Sequence, residues 1–126
     1  MGEGRVRAKV GAKAPRVDVI TARQCHMDDD WPDRVLSALG ETVYVTIDID
    51  GFDPAYAPGT GTPEVGGPTS FQGLAYLRAC TGVRWVGADV VEVLPALDHA
   101  QVTAHLAAQV GYEFLSLVAL ERQLRK

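Results

Sequence analysis

A chain of 126 residues, 47% hydrophobic and 22% charged, fits one soluble globular domain and excludes a disordered polymer. Its formal net charge of -4 disfavours a nucleic-acid-binding surface. No run of about 18 apolar residues could span a membrane, no apolar amino-terminal core resembles a secretory signal, and Cys25 and Cys80 form no CxxC pair, so a reduced, cytoplasmic setting is expected.

The first sixteen residues, MGEGRVRAKVGAKAPR, set Arg5, Arg7, Lys9, Lys13 and Arg16 against Glu3 alone. Their composition predicts a disordered tail over 1–16. A basic arm for an acidic partner is the sharper alternative. One domain is expected over 17–126. VDVI (17–20) predicts a short strand. DDDWPDRVLSALG (28–40) predicts a helix, with Asp30 at the N-cap, Pro32 in the first turn and Gly40 just past the end. TVYVTIDI (42–49) predicts a strand with Val43, Val45, Ile47 and Ile49 on one face.

After a long loop, TSFQGLAYLRACTG (69–82) predicts a helix. Thr69 and Gln72 have capping-box spacing, and Gly82 can stop it. RWVGADVVEV (84–93) is a near-continuous apolar strand, expected to be buried on both faces. The segment 98–126 predicts a long helix, with Asp98 and Gln101 at capping-box spacing and an apolar stripe of Val102, Leu106, Val110, Phe114 and Leu117. Strands alternating with helices predict an α/β fold with a parallel sheet.

Two aspartates, Asp48 and Asp50, close the strand over 42–49. In open α/β sheets, sites form at the carboxyl ends of strands. Two ionised carboxylates on one face repel, and a hard divalent cation relieves that repulsion because it takes carboxylate oxygens. The bland alternative is that both aspartates only cap the turn. The next segment favours the cation: Gly51, Pro54, Pro58, Gly59, Gly61, Pro63, Gly66 and Gly67 make a stiff loop that a simple crossover does not need.

Other candidates have simpler readings. Cys25, His26 and Asp28 to Asp30 could form a second metal site, but packing for Cys25 and helix capping for the acidic run are favoured. His99 and His105 read as surface residues, Asp53 as a turn residue, and Asp89 as a hydrogen-bonded structural group. Trp31, Trp85 and Phe114 read as core or interface. Glu92 stands on an otherwise apolar strand, where a buried, unpaired carboxylate is costly.

The run TIDIDGFDPAYAPGTGTPEVGG (46–67) resembles the signature of the ureohydrolase family, the arginases, agmatinases and their relatives. GADVVEVLP (87–95) resembles that family's later strand motif, and DHAQVTAHLAAQVGYEFLSLVA (98–119) its carboxyl-terminal helix. The resemblance implies the carboxyl-terminal part of a three-layer α/β/α sandwich around a parallel sheet. It implies two Mn²⁺ ions bridging a hydroxide that attacks a guanidinium carbon, releasing urea and an amine. The family's metal-binding roles fall on Asp48, which would bridge both ions, and Asp50, which would bind one. Its guanidinium-pairing role falls on Glu92, and Thr62 would lie near the guanidinium. A carboxylate fork matches that planar cation.

The family's other ligands come from a Gly-Gly-Asp-His motif and an Asp-Ala-His-x-Asp motif, and neither occurs here. None of His26, His99 and His105 stands in a motif that matches the family's proton-shuttling histidine. The resemblance therefore covers roughly the last third to two-fifths of a ureohydrolase, and an incomplete hydrolase is expected. Asp98 to Ala100 lean toward agmatinases, so agmatine is the favoured substrate, with arginine or guanidinobutyrate as alternatives. A non-catalytic remnant or subunit is the other class. The complete enzyme is expected to be a homo-oligomer without nucleic-acid or membrane partners.

Overall fold

The computed structural model describes residues 5–10 and 16–126. Strand β1 (Arg5–Val10) pairs antiparallel with β2 (Arg16–Thr21), from Arg5 opposite Thr21 to Val10 opposite Arg16. Residues 5–10 thus form a strand where a disordered tail was expected. Composition hides the cause: Val6, Ala8 and Val10 alternate with Arg5, Arg7 and Lys9, which is the period of a strand. The expected tail's residues 1–4 and 11–15 lie outside the described residues. The predicted strand at 17–20 is present, but it joins this antiparallel pair and not the parallel sheet.

Thr21 ends β2 and opens helix α1 (Ala22–Met27) through a capping box. The Gln24 amide donates to Thr21 Oγ1 at 3.3 Å, and the Thr21 amide donates to Gln24 Oε1 at 2.9 Å. The sequence reading missed this helix, because six residues are too few to show a period. Helix α2 (Trp31–Ala38) has Pro32 in its first turn as predicted. Asp30 sits at its N-cap but makes no capping bond, because its backbone (φ -91°, ψ 0°) is already helical. Ile20, Cys25 and Val35 form a small core here, and Trp31 stacks on Tyr76 with ring centroids 5.0 Å apart.

Strand β3 (Thr42–Asp48) leads through the loop and helix α3 (Ser70–Ala79) to β4 (Arg84–Val91), and helix α4 (Val102–Leu124) follows. β3 and β4 pair in parallel, from Thr42 opposite Arg84 to Asp48 opposite Val91, with an irregularity at Val43/Tyr44. The predicted capping box of α3 is present, and Gly82 takes φ +89°, a backbone state suited to glycine.

Ile49, Phe52, Ala57, Leu77, Cys80, Leu106, Val110 and Leu117 make the main core, and Ile47, Trp85 and Val90 pack against it. Trp85 meets Phe114 edge-on, centroids 5.8 Å apart, joining β4 to α4. Arg78 donates to Glu113 at 2.5 Å and ties α3 to α4. The buried stripe of α4 is Thr103, Leu106, Val110 and Leu117, so Thr103 takes the place expected for Val102, which is exposed.

β4 departs from its expected burial. Its residues are half-buried or exposed, and Val86 is 62% exposed. The core lies on the face of Ile47 and Val90, while Tyr44 and Thr46 point out from β3 and stay exposed. An apolar strand is buried twice only where both faces are covered.

Candidate active site

The strand alternation of β3 leaves Asp48 exposed at its last position. The chain then turns at once. Ile49 plunges into the core, fully buried, and Ile49–Gly51 form one turn of 3₁₀ helix. The strand predicted to run through Ile49 therefore stops one residue short. The Asp50 amide donates to Asp48 Oδ1 at 3.3 Å, so Asp48 does cap this turn. The capping and metal readings are compatible, because this one long bond leaves Asp48 with further lone pairs to give.

Burial, first, pushes the Asp48 carboxyl above its usual range, although the side chain stays open to solvent on one side. The hydrogen-bonded carboxyl and charge of Asp50 and the charge of Glu92 push the same way, against the pull of the Asp50 amide. Asp48 therefore feels the charge of both neighbours at this strand end. Thr62, the loop residue expected near a guanidinium, donates its hydroxyl to Asp50 Oδ2 at 2.7 Å.

Glu92 was expected within a buried strand. It lies one residue beyond β4, exposed, with φ +68°. Such a backbone costs a non-glycine residue about 1–2 kcal/mol and gathers at functional sites. The turn frees the carboxylate from the sheet without burying it, which removes the desolvation cost that the sequence reading assigned to it.

Asp53 does more than mark a turn. Its carboxylate accepts from the Ala55 amide at 2.9 Å and the Gly66 amide at 2.8 Å, and these two bonds hold its pKa down. Its amide donates to Pro68 O at 3.1 Å and closes the loop on itself. Gly67 lies against Gly51 O and the Asp53 amide, where a Cβ would collide with backbone. His26 braces the same corner from α1. Its Nε2 lies 3.0 Å from Gly66 O and 3.1 Å from Gly67 O, and carbonyls only accept, so Nε2 carries the proton. Cys25 is buried, as expected.

Asp89 has the structural role predicted for it. Thr46 and Tyr44 both donate to it at 2.5 Å and hold its carboxyl below the usual range. His99 and His105 are exposed, as expected.

The sequence reading missed one buried group. Asp98 caps α4, but not through Gln101: its two carboxylate oxygens accept from the Thr103 and Ala104 amides, each at 2.8 Å. Ala100 and Gln101 take positive φ, which displaces the cap by two residues. The Thr103 side chain, fully buried, accepts from the Gly59 amide at 2.7 Å. A threonine inside an otherwise apolar stripe was the available signal.

Among the described residues, no group of three or more His, Cys, Asp or Glu side chains is arranged to hold a metal ion. Asp48 and Asp50 are hard oxygen donors whose repulsion a divalent cation would relieve, so they suit such an ion as part of a ligand set.

The profile of the arginase family matches residues 5–116. The mitochondrial agmatinase of Gallus gallus is 45% identical over 103 residues, which are 79% of this chain and 30% of that protein. The guanidinobutyrase of Pseudomonas aeruginosa is 48% identical over 79 residues, 63% of this chain and 25% of that protein. The crystal structure of a hypothetical agmatinase from Burkholderia thailandensis is similar with a TM-score of 0.74 and 46% identity, over 76% of this chain and 31% of that one. The chain thus spans about a third or less of the length of these relatives. The α/β architecture with a parallel sheet agrees with them, and the chain belongs to the arginase family.

Proposed function

We propose that the chain forms the carboxyl-terminal part of a manganese-dependent hydrolase that splits a guanidino compound into urea and an amine. One observation carries this reading: Asp48 ends β3, Asp50 follows in the 3₁₀ turn, and Glu92 leaves β4 at the same end of the parallel pair, where Asp48 lies opposite Val91. Asp48 and Asp50 would supply some of the oxygens that hold Mn²⁺. A bound ion supplies charge that lowers the pKa of water and polarises the reacting carbon. Glu92 would accept the guanidinium N–H groups and orient that carbon toward the strand end. Thr62 would hold the Asp50 carboxylate in one rotamer through Oδ2.

Agmatine is the favoured substrate because relatives named agmatinase match most of this chain, and guanidinobutyrate is the alternative that the Pseudomonas aeruginosa relative suggests. The remaining ligands and the acid for the leaving amine would come from outside these residues. The reading extends to a cytoplasmic homo-oligomer. Among the described residues, no helix is long and apolar enough to cross a membrane. A non-catalytic remnant is the second reading, supported by the incomplete ligand set.

Urea release from agmatine decides between them. The chain alone with Mn²⁺ is expected to release none. Fusion to the amino-terminal portion of an agmatinase relative is expected to give Mn²⁺-dependent release, with KM raised by Glu92→Gln. Release by the lone chain would show that the ligand set here is complete. An inert, folded fusion that still binds Mn²⁺ would favour the remnant.

A further inference from the structure

Behind the candidate site, three segments meet at one residue, Gly59. Its N–H donates to Thr103 Oγ1 at 2.7 Å, and its carbonyl accepts from the Leu94 amide at 2.8 Å. Thr103 is itself held by Asp98, whose carboxylate accepts the Thr103 and Ala104 amides, each at 2.8 Å. Both oxygens of Asp98 are thereby engaged. Gly59 and Thr60 are buried against this group, and a Cβ on Gly59 would collide with Asp98. The close approach requires glycine.

The positions of these contacts give them a consequence for the site. Leu94 lies two residues after Glu92. Thr62, which holds Asp50, lies three residues after Gly59. One buried residue is thus shared by the turn that carries Glu92 and the loop that fixes Asp50. A chain of hydrogen bonds from the amino-terminal end of α4 holds it. Glu92 is itself exposed and takes a costly backbone, so nothing in its own side chain explains why it stays in place.

We infer that Asp98 and Thr103 are positioning residues, which clamp Gly59 and so fix Glu92 relative to Asp48 and Asp50. The inference rests on the proposed function for its meaning, since it sets where a guanidinium would sit against a metal. The clamp itself is a physical claim about the chain.

Two measurements on the full chain, labelled with ¹⁵N, test it. Thr103→Val keeps the volume and removes the acceptor, and Thr103→Ser restores it. Relaxation of the Glu92 amide is expected to give an order parameter near ~0.85 in the wild type and below ~0.6 in Thr103→Val, with recovery in Thr103→Ser. Hydrogen exchange at Gly59 and Leu94 should quicken at least roughly tenfold in Thr103→Val, while Val110 keeps its protection. A merely structural role would change Val110 along with the rest. If Thr103→Val does not fold, Asp98→Asn carries the same test, because it keeps the shape and weakens the acceptor. In the second measurement, Mn²⁺ below stoichiometry is expected to broaden both Asp50 and Glu92 in the wild type, but mainly Asp50 in Thr103→Val. An unchanged Glu92 order parameter in the folded variants overturns the inference, whatever Mn²⁺ does. If Mn²⁺ broadens neither residue in the wild type, the metal reading fails and the relaxation result still decides the clamp.

Discussion

The Thr62 hydroxyl donates to Asp50 Oδ2 across 2.7 Å, joining the far side of the loop to a carboxylate twelve positions earlier. The bond engages Oδ2 and restricts the orientation of the Asp50 carboxylate. It also gives the loop between β3 and α3 a purpose beyond connection. A ligand that is held before it binds loses less conformational freedom on binding.

Thr62→Val should therefore weaken Mn²⁺ binding by roughly tenfold, the low end for losing a partner of a metal ligand. Thr62→Ser should recover most of it. Thermal unfolding should barely move, because the pair is exposed. Calorimetric titration of the three proteins would read this directly. Equal affinities would mean that the bond is incidental.

His26 should brace the same loop from α1. His26→Ala removes the donor shared by Gly66 and Gly67, and it should cost about 0.5–1.5 kcal/mol, the usual net worth of such a bond. Urea unfolding would measure the loss. Exchange at the Gly66 amide, which Asp53 holds, should quicken in the same variant. An unchanged unfolding midpoint would show that Asp53 and the Pro68 closure suffice.

Acid should expose the role of Asp89. Thr46 first, then Tyr44, hold its carboxyl below the ordinary value of 3.8. A carboxyl depressed in the folded state adds stability above its ordinary value and loses it as pH falls through the folded one. Thr46→Val with Tyr44→Phe should lower stability at neutral pH, and the gap from wild type should narrow as pH falls below the ordinary carboxyl value of 3.8. Urea midpoints across that range would show it. A gap independent of pH would mean that the two hydroxyls act by packing alone.

Much of the fold could be read from local chemistry. The capping box at Thr69 and Gln72 and the glycine turn at Gly82 follow from residues close in sequence, and the parallel pairing of β3 with β4 follows from the alternation of strand and helix. What escaped depends on distant partners. The pairing of β1 with β2 has a period but a composition that suggests disorder. Asp98 looked like a cap for Gln101, but Gly59 and the turn at Ala100 set its true partners. Glu92 was placed in the strand because nothing local announces its positive φ. Asp48 and Asp50 were legible as a pair at a strand end. The turn between them was not, because it depends on Ile49 being drawn into the core.

The exposed apolar side chains should make the chain associate with itself. Phe71 is 76% exposed, Tyr112 67% and Leu115 65%, and β3 and β4 form a two-stranded sheet. Open strand edges and apolar patches favour contact between copies. Sedimentation over a range of concentrations should show mass rising with concentration. A monomer at every concentration, with one sharp unfolding transition, would show that these surfaces are tolerated.

The central claim is that Asp48 and Asp50 form part of a metal centre, and Mn²⁺ titration of the wild type beside Asp48→Asn tests it most directly. Two carboxylates with water in the other positions should bind weakly, with Kd on the order of 10⁻⁴–10⁻³ M. Binding should be lost in Asp48→Asn while the fold is retained. Tight binding of two ions by the wild type, or the same weak binding in Asp48→Asn, would contradict it.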